Sequence, residues 1–216
     1  MELNKSKLAT YKTIVFDCDG VCLNSNKIKS DAFYEIAKSY NENVADIFRK
    51  YHENNGGISR EIKFYHLINK LLEDPSISVK DCCDKFNQII FDKLLNCGFS
   101  SDLLELKKIF SVPWMIISGG NQKELELIFK KRKLSYLFEL GIFGSPLDKN
   151  SLFKLNENLI NFPAIYFGDS KMDYIFSKKN NLDFCFVSKW TDFKNWKKYF
   201  YNKKVYIIQD FKDILV

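Results

Sequence analysis

Three apolar runs in this 216-residue chain stop on acids or on small polar residues, the places where a buried segment can present chemistry. In "TIVFDCDGV", Asp17 and Asp19 are separated by one residue and Gly20 follows at once. Carboxylates that close repel each other, and a divalent cation such as Mg²⁺ between them relieves the repulsion. Gly20 then lets the chain turn sharply where a side chain would obstruct. In "AIYFGDSKMD", Asp169 ends another apolar run and Asp173 lies one helical turn onward, supplying further acids for a metal site. In "WMIISGG", Ser118 is followed by Gly119 and Gly120, whose open N–H groups before a helix form an anion cradle. "FGSPLDKNS" brings Lys149 to a helix start, a charge suited to neutralising phosphate.

These groups need a scaffold that gathers the ends of distant runs. Short apolar runs alternate with helical patterns, which predicts a doubly wound, Rossmann-like parallel sheet between two helical layers, a three-layer α/β/α fold. The expected strands are Thr13–Asp17, Trp114–Ser118, Leu140–Phe143, Ala164–Phe167, Phe184–Val187 and Val205–Ile208. In such a fold ligands bind outside the carboxyl ends of the strands, where Asp17, Asp19, Ser118 and Asp169 would emerge.

The alternation fails between the first two strands. Phe33, Ile36, Ala37 and Tyr40 recur at helical spacing, as do Phe64, Leu67, Ile68 and Leu71, and Phe86, Ile89, Ile90 and Leu94. Residues 25–98 are therefore expected to form a helical cap domain over a core built from residues 1–24 and 99–216. Its segment "YHENNGGISREIKFYHL" holds a flexible Gly56–Gly57 loop, and Ser59 is placed to cap the next helix. Arg60 and Lys63 would then contact an anionic substrate as the cap closes, the plain alternative being a solvated helix start. His52 and His66 lack ligand spacing and are expected in packing or surface roles.

Composition excludes other classes. With 46% hydrophobic and 28% charged residues the chain reads as soluble and globular, and no apolar run approaches the roughly 20 residues of a membrane span. No secretory leader is legible at the N-terminus, so a cytoplasmic protein is expected. The six cysteines show no CxxC pair, and free thiols are expected rather than zinc or disulfides. The net charge of +6 is partly concentrated in "SKWTDFKNWKKYFYNKKVY". Phe193, Trp196 and Phe200 fit an amphipathic helix facing the core better than a nucleic-acid surface, and no nucleic-acid motif accompanies them. The modest basic excess suits an enzyme that draws in small phosphorylated anions, with no nucleic acid or membrane expected as partner and a monomer or homodimer as the assembly.

Taken in order, "FDCDGV", "IISGG", Lys149 and "GDSKMD" resemble the four motifs of the haloacid dehalogenase superfamily, with the helical segment placed like its cap. The resemblance implies that Asp17 is a nucleophile forming an aspartyl-phosphate and that Asp19 is general acid, then general base. It implies Mg²⁺ held by Asp17, the backbone carbonyl of Asp19 and Asp169, with Asp173 in support. Ser118, Gly119 and Lys149 would bind the transferred phosphoryl. Each has an alternative: Ser118 as a helix cap, Lys154 in place of Lys149, and Asp173 as a first-turn residue favoured by the helix dipole. "GISR" looks like the cap loop of the β-phosphoglucomutase branch, where the arginine binds the substrate's non-transferred phosphate. The second acid, Asp19, favours phosphoryl transfer over carbon–halogen cleavage. The implied activity is a Mg²⁺-dependent phosphatase acting on a sugar phosphate or similar metabolite. A sugar phosphomutase and a non-catalytic binding protein are the alternatives.

Overall fold

A computed structural model describes residues 2–215. At its centre lie six parallel strands: β1 (Thr13–Phe16), β2 (Trp114–Asn121), β3 (Ile142–Ser145), β4 (Ala164–Gly168), β5 (Asp183–Val187) and β6 (Tyr206–Ile208). Their order is β3-β2-β1-β4-β5-β6. The chain winds one way from β1 and then returns to β4 on its other side, so β1 and β4 flank the crevice where the order reverses.

Successive strand residues point to opposite faces, and both faces are covered. Ile14, Phe16, Ile116, Ile165 and Phe167 enter one hydrophobic cluster, whereas Val15, Met115, Ile117, Tyr166 and Phe186 enter the other. That is why these strands read as unbroken apolar runs. The layers and connections around the sheet are α1 (Lys5–Leu8), α6 (Asp102–Ile109), α7 (Gln122–Lys131), α8 (Lys149–Asn156), α9 (Lys171–Lys179), α10 (Trp196–Phe200) and α11 (Lys212–Leu215).

Residues between β1 and α6 form α2 (Asn26–Tyr40), α3 (Glu42–Asn54), α4 (Arg60–His66), a π-helical turn Leu67–Leu72 and α5 (Val79–Asn96). Phe33 is their hub: its ring centroid lies 5.5 Å from Phe48, 5.1 Å from Phe64 and 4.4 Å from Phe86. The three apolar stripes therefore converge on one aromatic centre. The chain enters and leaves this insertion side by side. Leu23 and Phe99 form an antiparallel bridge, the Asn24 N–H donates to Gly98 O at 2.8 Å, and the Ser100 N–H donates to Cys22 O at 3.0 Å.

Some expected boundaries move. β3 starts at Ile142 because the preceding residues turn, with Gly141 at φ +113°. β2 continues through Ser118, Gly119 and Gly120 to Asn121, its register against β3 shifting between Ile117 and Asn121. The basic aromatic stretch is not one long amphipathic helix. Phe193 precedes the short α10, yet Phe193, Trp196 and Phe200 all pack on Phe186, at 6.5, 5.2 and 4.9 Å. All six cysteines are free. No helix among the described residues is long and apolar enough to cross a membrane.

Candidate active site

The pairing of β1 with β4 sets Phe16 beside Phe167, so the acids just beyond the two strand ends fall together. Carboxylate oxygens of Asp17, Asp169 and Asp173 lie within 4.8 Å of one another, all in buried residues. Gly20, at φ +75°, permits this approach: a Cβ there would stand 2.2 Å from Asp169 Oδ2 and 2.4 Å from the Asn26 amide nitrogen. Asn26 in turn donates to Asp169 Oδ2 at 2.7 Å.

Lys149 Nζ sits 2.8 Å from Asp17 Oδ1 and 2.6 Å from Asp173 Oδ1, and it donates to Tyr166 OH at 2.8 Å. The approach to Asp17 is an ion pair outside hydrogen-bond geometry, and Asp17 Oδ1 accepts no hydrogen bond. Burial pushes the Asp17 carboxyl up to about 7; Lys149 opposes that rise, while Asp173 and Asp19 add to it. Burial, then Asp173 and Asp17, hold Asp169 well above the ordinary carboxylate range. Burial alone would lower Lys149, but Asp17 and Asp173 outweigh it and hold the lysine raised. One ammonium does not neutralise three buried acids, and hard carboxylate oxygens with spare lone pairs suit a divalent cation such as Mg²⁺.

Asp173 serves two purposes. Its Oδ2 accepts from the Ser170 N–H and Oγ in a capping box that starts α9, while its Oδ1 takes Lys149 and Tyr166. Both oxygens are occupied, so Asp173 acts on the cluster through Lys149. Lys154 is exposed and outside this network. Ser118 does not cap α7, because Asn121 fills that position by accepting from the Glu124 N–H. Ser118 is buried and its Oγ accepts from the Gly120 N–H at 3.0 Å.

The insertion closes directly on this floor. A Cβ on Gly119 would lie 2.3 Å from Gly57 O, and one on Gly57, at φ +81°, would lie 3.4 Å from Lys149 Nζ. Two bare backbones are thus pressed together where any side chain would hold them apart. Between the core and the insertion remains a cavity of about 750 Å³, bordered by Asp17, Asp19 and Asp169 below and by Lys29, Arg60 and Lys63 above.

Asp19 is held from the insertion side. Its Oδ1 accepts from Ser25 Oγ and its Oδ2 from Lys29 Nζ, both at 2.6 Å. Burial would raise its carboxyl, but Lys29 and Ser25 outweigh burial and keep it below the usual range. Arg60 reaches across to the core: Nη1 and Nη2 donate to Glu124 at 3.0 and 2.7 Å, Nη1 also contacts Asn87, and the guanidinium lies 4.8 Å from the Phe86 ring centre.

A profile of the haloacid dehalogenase-like hydrolases matches residues 14–187. The chain belongs to that family. No curated protein sequence matches the hydrolase. Solved structures share its fold. A predicted phosphatase from Clostridium acetobutylicum is 18% identical, with a TM-score of 0.72 covering 95% of this chain and 98% of that one. A β-phosphoglucomutase from Clostridium difficile is 16% identical, with a TM-score of 0.71 over 94% and 92%. A predicted phosphoglycolate phosphatase from Haemophilus somnus is 17% identical, with a TM-score of 0.71 over 95% and 96%.

The hydrolase brings the expected acids and Lys149 together, but it corrects the reading of its insertion. Arg60 is no solvated helix start. It is 5% exposed, Ser59 gives α4 no side-chain cap, and the guanidinium fork is committed to Glu124. Lys63 is buried beside His52, with 2.8 Å between Nζ and Nδ1. His52, expected in a packing or surface role, packs on Phe33; the sequence reading missed Ser25, Asn26, Lys29, Glu124 and Tyr166. Lys29 had a signal: it lies four residues before Phe33 on the stripe that α2 buries. Glu124 likewise occupies a buried position of α7 beside Leu125 and four residues before Ile128.

Proposed function

We propose that this hydrolase is a Mg²⁺-dependent phosphatase of a small phosphorylated metabolite, acting through an aspartyl-phosphate on Asp17. One observation carries the reading: Asp17 borders the cavity between core and insertion with an oxygen free of hydrogen bonds, Lys149 at 2.8 Å and a second acid two residues away. An Asp17 oxygen attacks phosphorus in line, and the bond to the leaving oxygen breaks as that oxygen takes a proton from Asp19. Water then attacks the same phosphorus and gives a proton to Asp19, which frees the Asp17 carboxylate and inorganic phosphate.

In the closed arrangement Lys29 and Ser25 favour Asp19 as a carboxylate, the form that the second half-reaction needs. The first half-reaction needs the acid, which requires Lys29 to loosen; an arriving phosphate dianion competes for that lysine. Mg²⁺ would be held by Asp17, the Asp19 carbonyl and Asp169, and would supply positive charge against the developing phosphoryl charge. Lys149 places a fixed ammonium beside the nucleophile. Residues 25–98 serve as the cap, and its closure excludes water.

A panel of phosphorylated metabolites, assayed with Mg²⁺ for free phosphate and for isomerised product together, tests the reading. Phosphate release supports it. Isomerisation stimulated by a sugar bisphosphate assigns a phosphomutase instead, and binding without turnover assigns a non-catalytic protein.

A further inference from the structure

Three buried cations of the insertion border the cavity, and two of them are matched. Lys29 pairs with Asp19, and Arg60 with Glu124. Lys63 has no carboxylate partner among the described residues, although it is only 3% exposed and lines the cavity. Its ammonium meets His52 Nδ1 at 2.8 Å and stands 5.4 Å from the Phe33 ring centre. His52 is itself buried, with its ring centre 4.4 Å from that of Phe33. An ammonium has three donors, and an imidazole acceptor satisfies one. Burying the remainder without an anion is costly unless a ligand supplies one.

Burial, with Lys29 adding, pushes Lys63 down to about 7, and burial with Lys63 and Lys29 holds His52 well below its ordinary value. Burial leads both shifts, and neighbouring cations add to each. Arg60, the other cation that α4 brings to the cavity, has its fork spent on Glu124.

We propose that Lys63, oriented by His52, forms a second anion subsite that reads a carboxylate or phosphate at the non-transferred end of the substrate. This rests on the phosphatase reading and assigns its substrate class: phosphate monoesters with a second anionic group. The cavity spans from Asp17 to the insertion wall and lies within the usual size range of small-molecule sites.

The test uses two matched pairs: 2-phosphoglycolate against 2-hydroxyethyl phosphate, and a hexose bisphosphate against the hexose monophosphate. Hydrolysis by the full chain with Mg²⁺ gives kcat/KM ratios, and calorimetry on Asp17→Asn gives Kd ratios without turnover. At least one doubly anionic member should be favoured by about tenfold or more in both measurements. In Lys63→Met, and in Asp17→Asn/Lys63→Met, that preference should fall to about threefold or less. The pair that responds distinguishes carboxylate from phosphate. A ratio near one for both pairs, an unchanged ratio in the lysine variant, or no detectable binding of either doubly anionic ligand overturns the subsite. A Lys63-dependent Kd ratio without any hydrolysis keeps the subsite and removes the phosphatase reading. Hydrolysis without a ratio does the reverse.

Discussion

Arg60 of the insertion and Glu124 of the core are joined by a buried two-point ion pair, with side chains 4% and 7% exposed. Removing one partner strands the other charge. Arg60→Met alone, or Glu124→Met alone, should destabilise by about 3–5 kcal/mol, whereas the double variant should recover most of that loss. Chemical denaturation of all four proteins checks the cycle; independent, additive losses would show that the pair is not a unit. Because this contact joins cap to core, Arg60→Met should slow hydrolysis of small aryl phosphates as well as larger substrates.

Asp17→Asn removes the nucleophile with little change in volume. Turnover should vanish while circular dichroism stays native. Acid-quenched wild-type enzyme should carry a phosphoryl group that the variant lacks, and substantial activity in a clean preparation of the variant would exclude covalent catalysis.

Mg²⁺ should stabilise the fold as well as activate it, since it relieves repulsion among Asp17, Asp169 and Asp173. At a hundred times Kd the gain should approach about 2.7 kcal/mol, read as a rise in Tm, and Asp169→Asn should lose most of it. Ca²⁺ should bind and inhibit, because its longer, more numerous bonds can engage both Asp17 oxygens. Full activity in excess chelator would contradict the metal assignment.

Lys63 makes stability depend on pH. Its folded value, near 7, lies below the unfolded lysine value of about 10.4, so the unfolded chain binds more protons between the two. Stability from this group therefore rises with pH across that window, and the burden is fully present below it. Lys29, Arg60 and His52 face the ammonium with like charge or as a neutral acceptor, and Asp19 and Asp17 partly offset them. Lys63→Met should gain on the order of 2 kcal/mol over wild type at pH 6 and clearly less at pH 9. An equal gain at both values would exclude the titration.

The core of the site was legible because Asp17 and Asp169 each end an apolar run, and in a doubly wound sheet such ends converge. Asp17 and Asp169 need only β1 beside β4 to meet. Arg60 was not legible as a tie between insertion and sheet layer, since its partner is 64 positions away and a glutamate in a helix ordinarily reads as solvated. The extension of β2 through two glycines was hidden for another reason: glycine signals a turn, whereas here Gly119 makes room for Gly57. Lys63 was assigned to substrate from its helix position, and its pairing with His52 depends on how α3 meets α4, which no periodicity encodes.

The paired passages at Leu23 and Phe99 set how the insertion would travel if it swings from the core. A single tether would let a rigid body roll about three axes and return in many poses. Two chain passages hydrogen-bonded abreast would resist roll and leave chiefly a swing about the line they share. Each return would set Gly57 on Gly119 and Lys29 on Asp19 in the same register, so the search for the productive geometry is confined to nearly one dimension and costs little orientational entropy.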